Sequence, residues 1–164
     1  MPDAAILTIS DSRSEGLARD QSGPAIETAL ASMGITIVEK KIVPDDCDTI
    51  RNIVQTLLGR VSLIVTTGGT GVSDRDVTSE AIEPLFEKTL PGFGEIMRTG
   101  SFEKTPLSII SRGGAGIAKR TLILMLPGSP KGVVDCLDLI TPAIKHVLKI
   151  LDQQKVDCQA ESHR

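Results

Sequence analysis

Hydrophobic positions along this chain fall into two alternating rhythms. Short, nearly unbroken apolar runs occur at "AAILTIS" (Ala4–Ser10), "VSLIVTT" (Val61–Thr67) and "TLILMLP" (Thr121–Pro127). Each predicts a strand buried on both faces, as in a parallel sheet. "ITIVEKKIV" (Ile35–Val43) carries charge in its middle, which predicts a strand nearer an edge. "PLSIIS" (Pro106–Ser111) predicts one more strand, joined to the last by a glycine-rich turn, "RGGAGIAKR".

Helical spacing fills the gaps. After a loop, "DSRSEGLARDQ", Ser22 predicts the cap of a helix over "SGPAIETALASMG", with Pro24 near its start and Gly34 just past its end. Ile50, Ile53, Val54, Leu57 and Leu58 share one face of a helix over about Thr49–Leu58. Further helices are expected over Ser79–Lys88 and, despite Gly100, in "FGEIMRTGSF". The last runs from Lys131 to Leu151, where Pro142 should kink or split it. A polar tail that frays is expected from Gln153. Strands alternating with helices predict a single compact three-layer α/β domain, a mostly parallel sheet with helices on both faces, over residues 1–152, and a polar tail over 153–164.

In such a fold, ligands sit beyond the carboxyl ends of the strands. Three polar loops fall there: "SDSR" after the first strand, "TTGGTGVSDRD" after the third and "PGSPKG" after the last. Glycines let backbone N–H groups approach a ligand, and helix starts favour anions. Gly68, Gly69, Gly71 and Gly128 are therefore the candidate phosphate cradle. The standard phosphate motifs do not apply. Gly69 and Gly71 begin a dinucleotide fingerprint, but Asp74 stands where its third glycine belongs. "GGAGIAKR" fails as a P-loop at Ala118 and Arg120, and no G-x-S-x-G hydrolase elbow occurs.

Carboxylates beside a phosphate cradle raise a conflict. Asp74 and Asp76 follow the glycine loop, and Asp45 ends the neighbouring strand. Such charges repel a phosphate unless a cation sits between, and Mg²⁺ held by one or two carboxylates plus phosphate oxygens resolves this. The competing explanation is helix capping, by Asp76 for the helix at Ser79 and by Asp45 or Asp46 for the helix at Thr49.

Composition narrows the partners. The chain has three Phe, no Trp and no Tyr, too few aromatic faces for a base-stacking platform. A net charge of −3 argues against a general polyanion binder, so no nucleic acid is expected. Cys47, Cys136 and Cys158 form no CxxC pair, and His146 and His163 have no ligand-like spacing, which predicts neither a disulfide framework nor a zinc site. No signal peptide or membrane-length run occurs, so no membrane association and a reducing cytoplasm are expected.

The glycine-aspartate stretch Thr66–Ile82, with "PGFGE" (Pro91–Glu95), "ISR" (Ile110–Arg112) and "LPGSPKG" (Leu126–Gly132), resembles the molybdopterin-binding family of molybdenum-cofactor biosynthesis. The likeness covers about Ile6 to Leu151 and is nearest to the family's adenylyltransferases, which include the G domain of gephyrin. It implies activation of molybdopterin by Mg-ATP, giving adenylyl-molybdopterin and pyrophosphate, with molybdate inserted afterwards by a downstream protein. It also implies a homotrimer, some members being hexameric. Asp45 in "VPDD" and Asp76 in "DRDVT" match the catalytic, metal-holding aspartates. Ser10, Thr70, Ser101 and Ser111 match the molybdopterin-contacting hydroxyls, and Ser129 and the "DQSG" stretch, with Asp20, Ser22 and Gly23, complete the implied substrate contacts. Ser79 stands where a proline commonly follows the "DVT" triplet. Two alternatives remain: a molybdopterin carrier without turnover, and a different enzyme on the same fold. Presence of both aspartates favours the enzyme over the carrier.

Overall fold

Four parallel strands and two that pair antiparallel make a six-stranded sheet. The computed structural model describes residues 1–161, with side chains through Gln153. The strands are β1 (Asp3–Ile9), β2 (Thr36–Val43), β3 (Leu63–Thr67), β4 (Lys88–Thr89), β5 (Gly114–Ala118) and β6 (Thr121–Leu126). They lie in the order β2-β1-β3-β6-β5-β4; β2, β1, β3 and β6 run parallel, while beyond β6 strand β5 adds antiparallel to β6 and β4 antiparallel to β5.

Strict alternation explains why the central strands read as unbroken apolar runs. Ala4 and Ile6 of β1, Leu63 and Val65 of β3, and Leu122, Leu124 and Leu126 of β6 share one face of the sheet. Ala5, Leu7, Ile9, Ile64, Ile123 and Met125 enter the core on the other. Both faces are covered, so every side chain is buried, each large one stabilising the fold by about 1.5–3 kcal/mol. Helices α2 (Ser22–Ser32), α5 (Pro91–Ser101) and α6 (Pro130–Glu161) cover the first face through Ile26, Leu30, Phe93, Met97, Val133 and Ile140. Helices α3 (Cys47–Leu57) and α4 (Thr78–Ile82) cover the second through Ile50, Val54, Ala81 and Ile82. A four-residue helix, α1 (Asp11–Ser14), follows β1.

Several expectations are corrected. "PLSIIS" is not a strand: Pro106–Ile110 is a 3-10 helix with the proline in its first turn. The glycine-rich "turn" is instead strand β5, and the reversal is confined to Lys119 and Arg120, both at positive φ. Its small residues are functional in packing, since a Cβ on Gly116 would fall on the Phe86 ring. The helix expected over Ser79–Lys88 stops at Ile82 and tightens into a 3-10 turn, Glu83–Leu85, because Pro84 has no N–H to continue it. Ser22 does not cap α2 but lies inside it, while the Asp20 carboxylate accepts from the Ser22 and Gly23 amides at 3.1 and 3.0 Å. Pro142 lies within α6 without dividing it, flanked by the buried anchors Leu137, Ile140 and Ile144. The α6 backbone continues as helix to Glu161, where a tail was expected from Gln153; Cys158 and His163 lie outside the described side chains.

Strand β2 does lie at an edge, with Lys40 paired to Glu27 of α2 at 2.7 Å. The chain leaves β1 for α2 on one face and leaves β3 for α4 on the other. The crevice outside the carboxyl ends of β1 and β3 is thus the topological switch point, where ligands bind in open α/β sheets.

Candidate active site

At that crevice the three polar loops meet backbone to backbone. After Thr67 the chain turns at Gly68 and Gly69, with φ of 98° and 64°. A Cβ on Gly68 would fall on the Ile9 carbonyl oxygen at the end of β1, and one on Gly69 would fall on Thr78 Oγ1. Thr78 closes the loop by donating its hydroxyl to the Gly68 carbonyl at 2.8 Å and its amide to the Gly69 carbonyl at 3.1 Å. The β6 loop abuts it, since a Cβ on Gly128 would stand 3.3 Å from Gly68 Cα. Thr67 Oγ1 donates to the Pro127 carbonyl at 2.7 Å.

On one side of this loop lies a cleft of about 320 Å³. Thr70, Gly71, Ser101, Ser111, Gly128 and Ser129 line it, together with Arg98 and Lys131. Ser129 Oγ accepts the Gly132 amide at 3.1 Å and so caps α6, leaving its own proton free to donate. The N-terminus of this long helix therefore opens on the cleft beside Lys131, which favours an anion there. Ser101 is 7% exposed, and its buried hydroxyl has no hydrogen-bond partner of good geometry among the described residues. The neighbouring Cys136 thiol is pushed up by burial, against which Ser101 pulls back. The Ser101 hydroxyl thus lines the cleft with hydrogen-bonding capacity to spare.

On the other side lie the carboxylates. Asp46, not Asp45, caps α3: its Oδ1 accepts the Thr49 amide at 2.8 Å and the Thr49 hydroxyl. These bonds hold Asp46 below the usual carboxylate range. Asp45 is free of that duty. It exchanges bonds with Asp11, its Oδ2 accepting the Asp11 amide and its own amide donating to Asp11 Oδ1, both at 2.9 Å. Arg75 pairs with the other Asp11 oxygen. Asp76 does not cap α4 either, for Val77 occupies that position and the helix has no side-chain cap. Asp76 Oδ2 instead accepts the Ser73 amide at 2.9 Å and the Ser73 hydroxyl at 2.7 Å. Burial opposes its ionisation, but Ser73, the Gly71 amide and the Arg112 charge together hold it below the usual range. Burial, and then the charge of Asp76, push Asp45 up. Asp45 thus feels the charge of Asp76 beside the glycine loop, and a cation there would offset it.

The sequence-predicted residues divide into three groups. Thr70, Gly71, Ser101, Ser111, Gly128 and Ser129 gather in the cleft. Asp45, Asp76, Gly69 and Ser10 lie about the acidic side, where Ser10 Oγ accepts the Arg13 amide at 3.3 Å as the cap of α1. Asp20, Ser22 and Gly23 build the frame beneath. Asp20 takes the Thr8 hydroxyl at 2.8 Å besides the two amides, and the fully buried Ser22 donates to the Gly128 carbonyl at 2.8 Å. Their bonds shape the β6 loop from below. Sequence reasoning missed Arg98, Lys131 and Arg112. The first of these spans the cleft wall, its Nη1 donating to the Ser111 and Gly113 carbonyls at 3.2 and 2.9 Å.

Known proteins resemble this chain over most of its length. A family model described as "Probable molybdopterin binding domain" matches residues 5–146. The molybdopterin adenylyltransferase of Helicobacter pylori is 40% identical over 150 residues, covering 89% of this chain and 85% of that protein. Gephyrin of Dictyostelium discoideum is 38% identical over 97% of this chain, which spans 24% of gephyrin. Among solved structures, the molybdopterin biosynthesis enzyme MoaB of Thermus thermophilus superposes with a TM-score of 0.87 at 38% identity, over 92% of this chain and 96% of that one. With a family match across most of its length and relatives of this similarity, the chain belongs to the molybdopterin-binding family of molybdenum-cofactor biosynthesis.

Proposed function

We propose that this protein adenylylates molybdopterin in molybdenum-cofactor biosynthesis, using ATP and releasing pyrophosphate. The observation that carries this reading is one glycine loop with a hydroxyl-lined cleft on one side and, on the other, the carboxylates of Asp45 and Asp76 set against Gly69 and Gly71. The name of the 40% identical Helicobacter pylori relative supports the same reaction.

An oxygen of the molybdopterin phosphate attacks the α-phosphorus of ATP. The new P–O bond forms as the α–β bridging bond breaks, and its electron pair leaves on pyrophosphate. The nucleophile is already anionic, so no general base is needed, and position and charge neutralisation dominate. Thr70, Ser101 and Ser111 orient the pterin and its phosphate from the cleft wall. The Ser129 cap, Lys131 and the α6 N-terminus favour its negative charge. Gly68, Gly69, Gly71 and Gly128 bring backbone N–H groups to the phosphates.

Asp45 and Asp76 fit Mg²⁺, being hard oxygen donors whose charges conflict without a cation. No group of three His, Cys, Asp or Glu is placed for a metal among the described residues. A cation there would take its remaining ligands from phosphate oxygens and water, as Mg²⁺ does. When bound, it would neutralise charge on the reacting phosphates. Assembly as a trimer is part of the same reading. No helix among the described residues is long and apolar enough to cross a membrane; cytoplasmic residence is part of the proposal.

Thr70→Ala and Ser101→Ala are each expected to weaken molybdopterin binding by about 1–3 kcal/mol, the cost of an unpaired buried polar partner. Titration calorimetry checks this, and unchanged affinity in both variants removes these hydroxyls from the pocket. The reaction itself is tested by pyrophosphate release that requires molybdopterin, Mg²⁺ and ATP together.

A further inference from the structure

The loop that carries both Thr70 and Asp76 has no regular secondary structure of its own between β3 and α4. One side chain ties it down. Arg112 Nε donates to the Gly71 carbonyl at 2.7 Å, Nη2 donates to the Asp76 carbonyl at 2.6 Å, and Nη1 pairs with Glu80. Its backbone joins the same grip, the amide donating to the Thr70 carbonyl at 2.8 Å and the carbonyl accepting from Ser79 Oγ at 3.0 Å. The guanidinium thus spans the loop from the cleft side to the acidic side. Glu80 orients it from the first turn of α4.

We propose that Arg112 is a positioning residue that fixes the distance between the substrate hydroxyl of Thr70 and the carboxylate of Asp76. The inference rests on the roles given to those two residues above. It adds the reason why a glycine-rich loop can hold them in register. Each of the three guanidinium nitrogens serves a different acceptor, and the planar fork matches two carbonyls that a lysine ammonium cannot reach together. The preceding residue, Ser111, lines the cleft, so loosening Arg112 reaches the cleft wall as well as the loop.

Arg112→Lys keeps the charge and loses the fork. In that variant, hydrogen exchange at the amides of residues 70–76 is expected to quicken about tenfold, as charged hydrogen bonds are lost. Molybdopterin-dependent turnover is expected to fall about tenfold, a part of what misplacing a reacting group can cost, with the melting temperature little changed. Methylguanidinium added to Arg112→Ala should restore part of the turnover, a recovery that a purely structural arginine would not give. Exchange at wild-type rates in Arg112→Lys overturns the proposal, as does wild-type turnover in both variants. If the wild-type protein releases no pyrophosphate, the adenylyltransferase reading falls, while the exchange rates still decide whether Arg112 holds the loop.

Discussion

Asp76→Asn is expected to lower pyrophosphate release about a hundredfold, the scale of losing one preorganised electrostatic contact to a transition state. The substitution removes a charge and keeps the shape. Asparagine retains a carbonyl oxygen for the Ser73 amide and hydroxyl, both of which bond Asp76 Oδ2. No helix cap is lost, because Asp76 caps nothing. Stability should fall only modestly, by the loss of the charge that the Gly71 amide and Arg112 favour. Molybdopterin should bind no less tightly, since a negative charge near its phosphate has gone. Melting temperature, molybdopterin affinity and turnover are best measured on one preparation. Normal turnover in a folded Asp76→Asn protein would end the assignment of Asp76 as catalytic.

Gly68→Ala carries the largest expected effect on stability. The residue has φ of 98°, and the added methyl would fall on the Ile9 carbonyl oxygen. Backbone strain and the overlap together should cost about 4 kcal/mol. That carbonyl belongs to the end of β1, so relief requires the β1 and β3 loops to part, which opens the site as well. Gly34 is the control. Its φ is 77° but a Cβ there meets nothing within 4 Å, so Gly34→Ala should cost only the left-handed strain, about 1 kcal/mol. Denaturant midpoints compare the two. Equal, small losses would show that the close approach of the two loops is not what requires glycine at position 68.

What the sequence disclosed follows from where the physics is local. Strands β1, β3 and β6 are buried on both faces and so show as continuous apolar runs, and the charged centre of β2 marks its edge position. Strand β5 stayed hidden because four of its five residues are Gly or Ala: Gly116 makes room for Phe86, and Ile117 alone supplies β-branched bulk. The 3-10 helix at Pro106–Ile110 misled because its Leu107, Ile109 and Ile110 are apolar yet exposed. At the site, the three loops were legible because glycines and carboxylates at strand ends are local signals. The division of labour between Asp45 and Asp46 was not, since capping depends on backbone angles that only the fold fixes. Arg112 was invisible for a further reason. The carbonyls it grips lie 41 and 36 positions earlier in the chain, and any residue type can supply a carbonyl.

The decisive measurement is release of pyrophosphate from Mg-ATP by the purified protein, with and without molybdopterin, alongside recovery of adenylyl-molybdopterin. The account requires release that depends on molybdopterin and matches the adenylylated product one for one. Tight molybdopterin binding with no pyrophosphate and no adenylylated product would contradict it and leave a carrier in place of an enzyme.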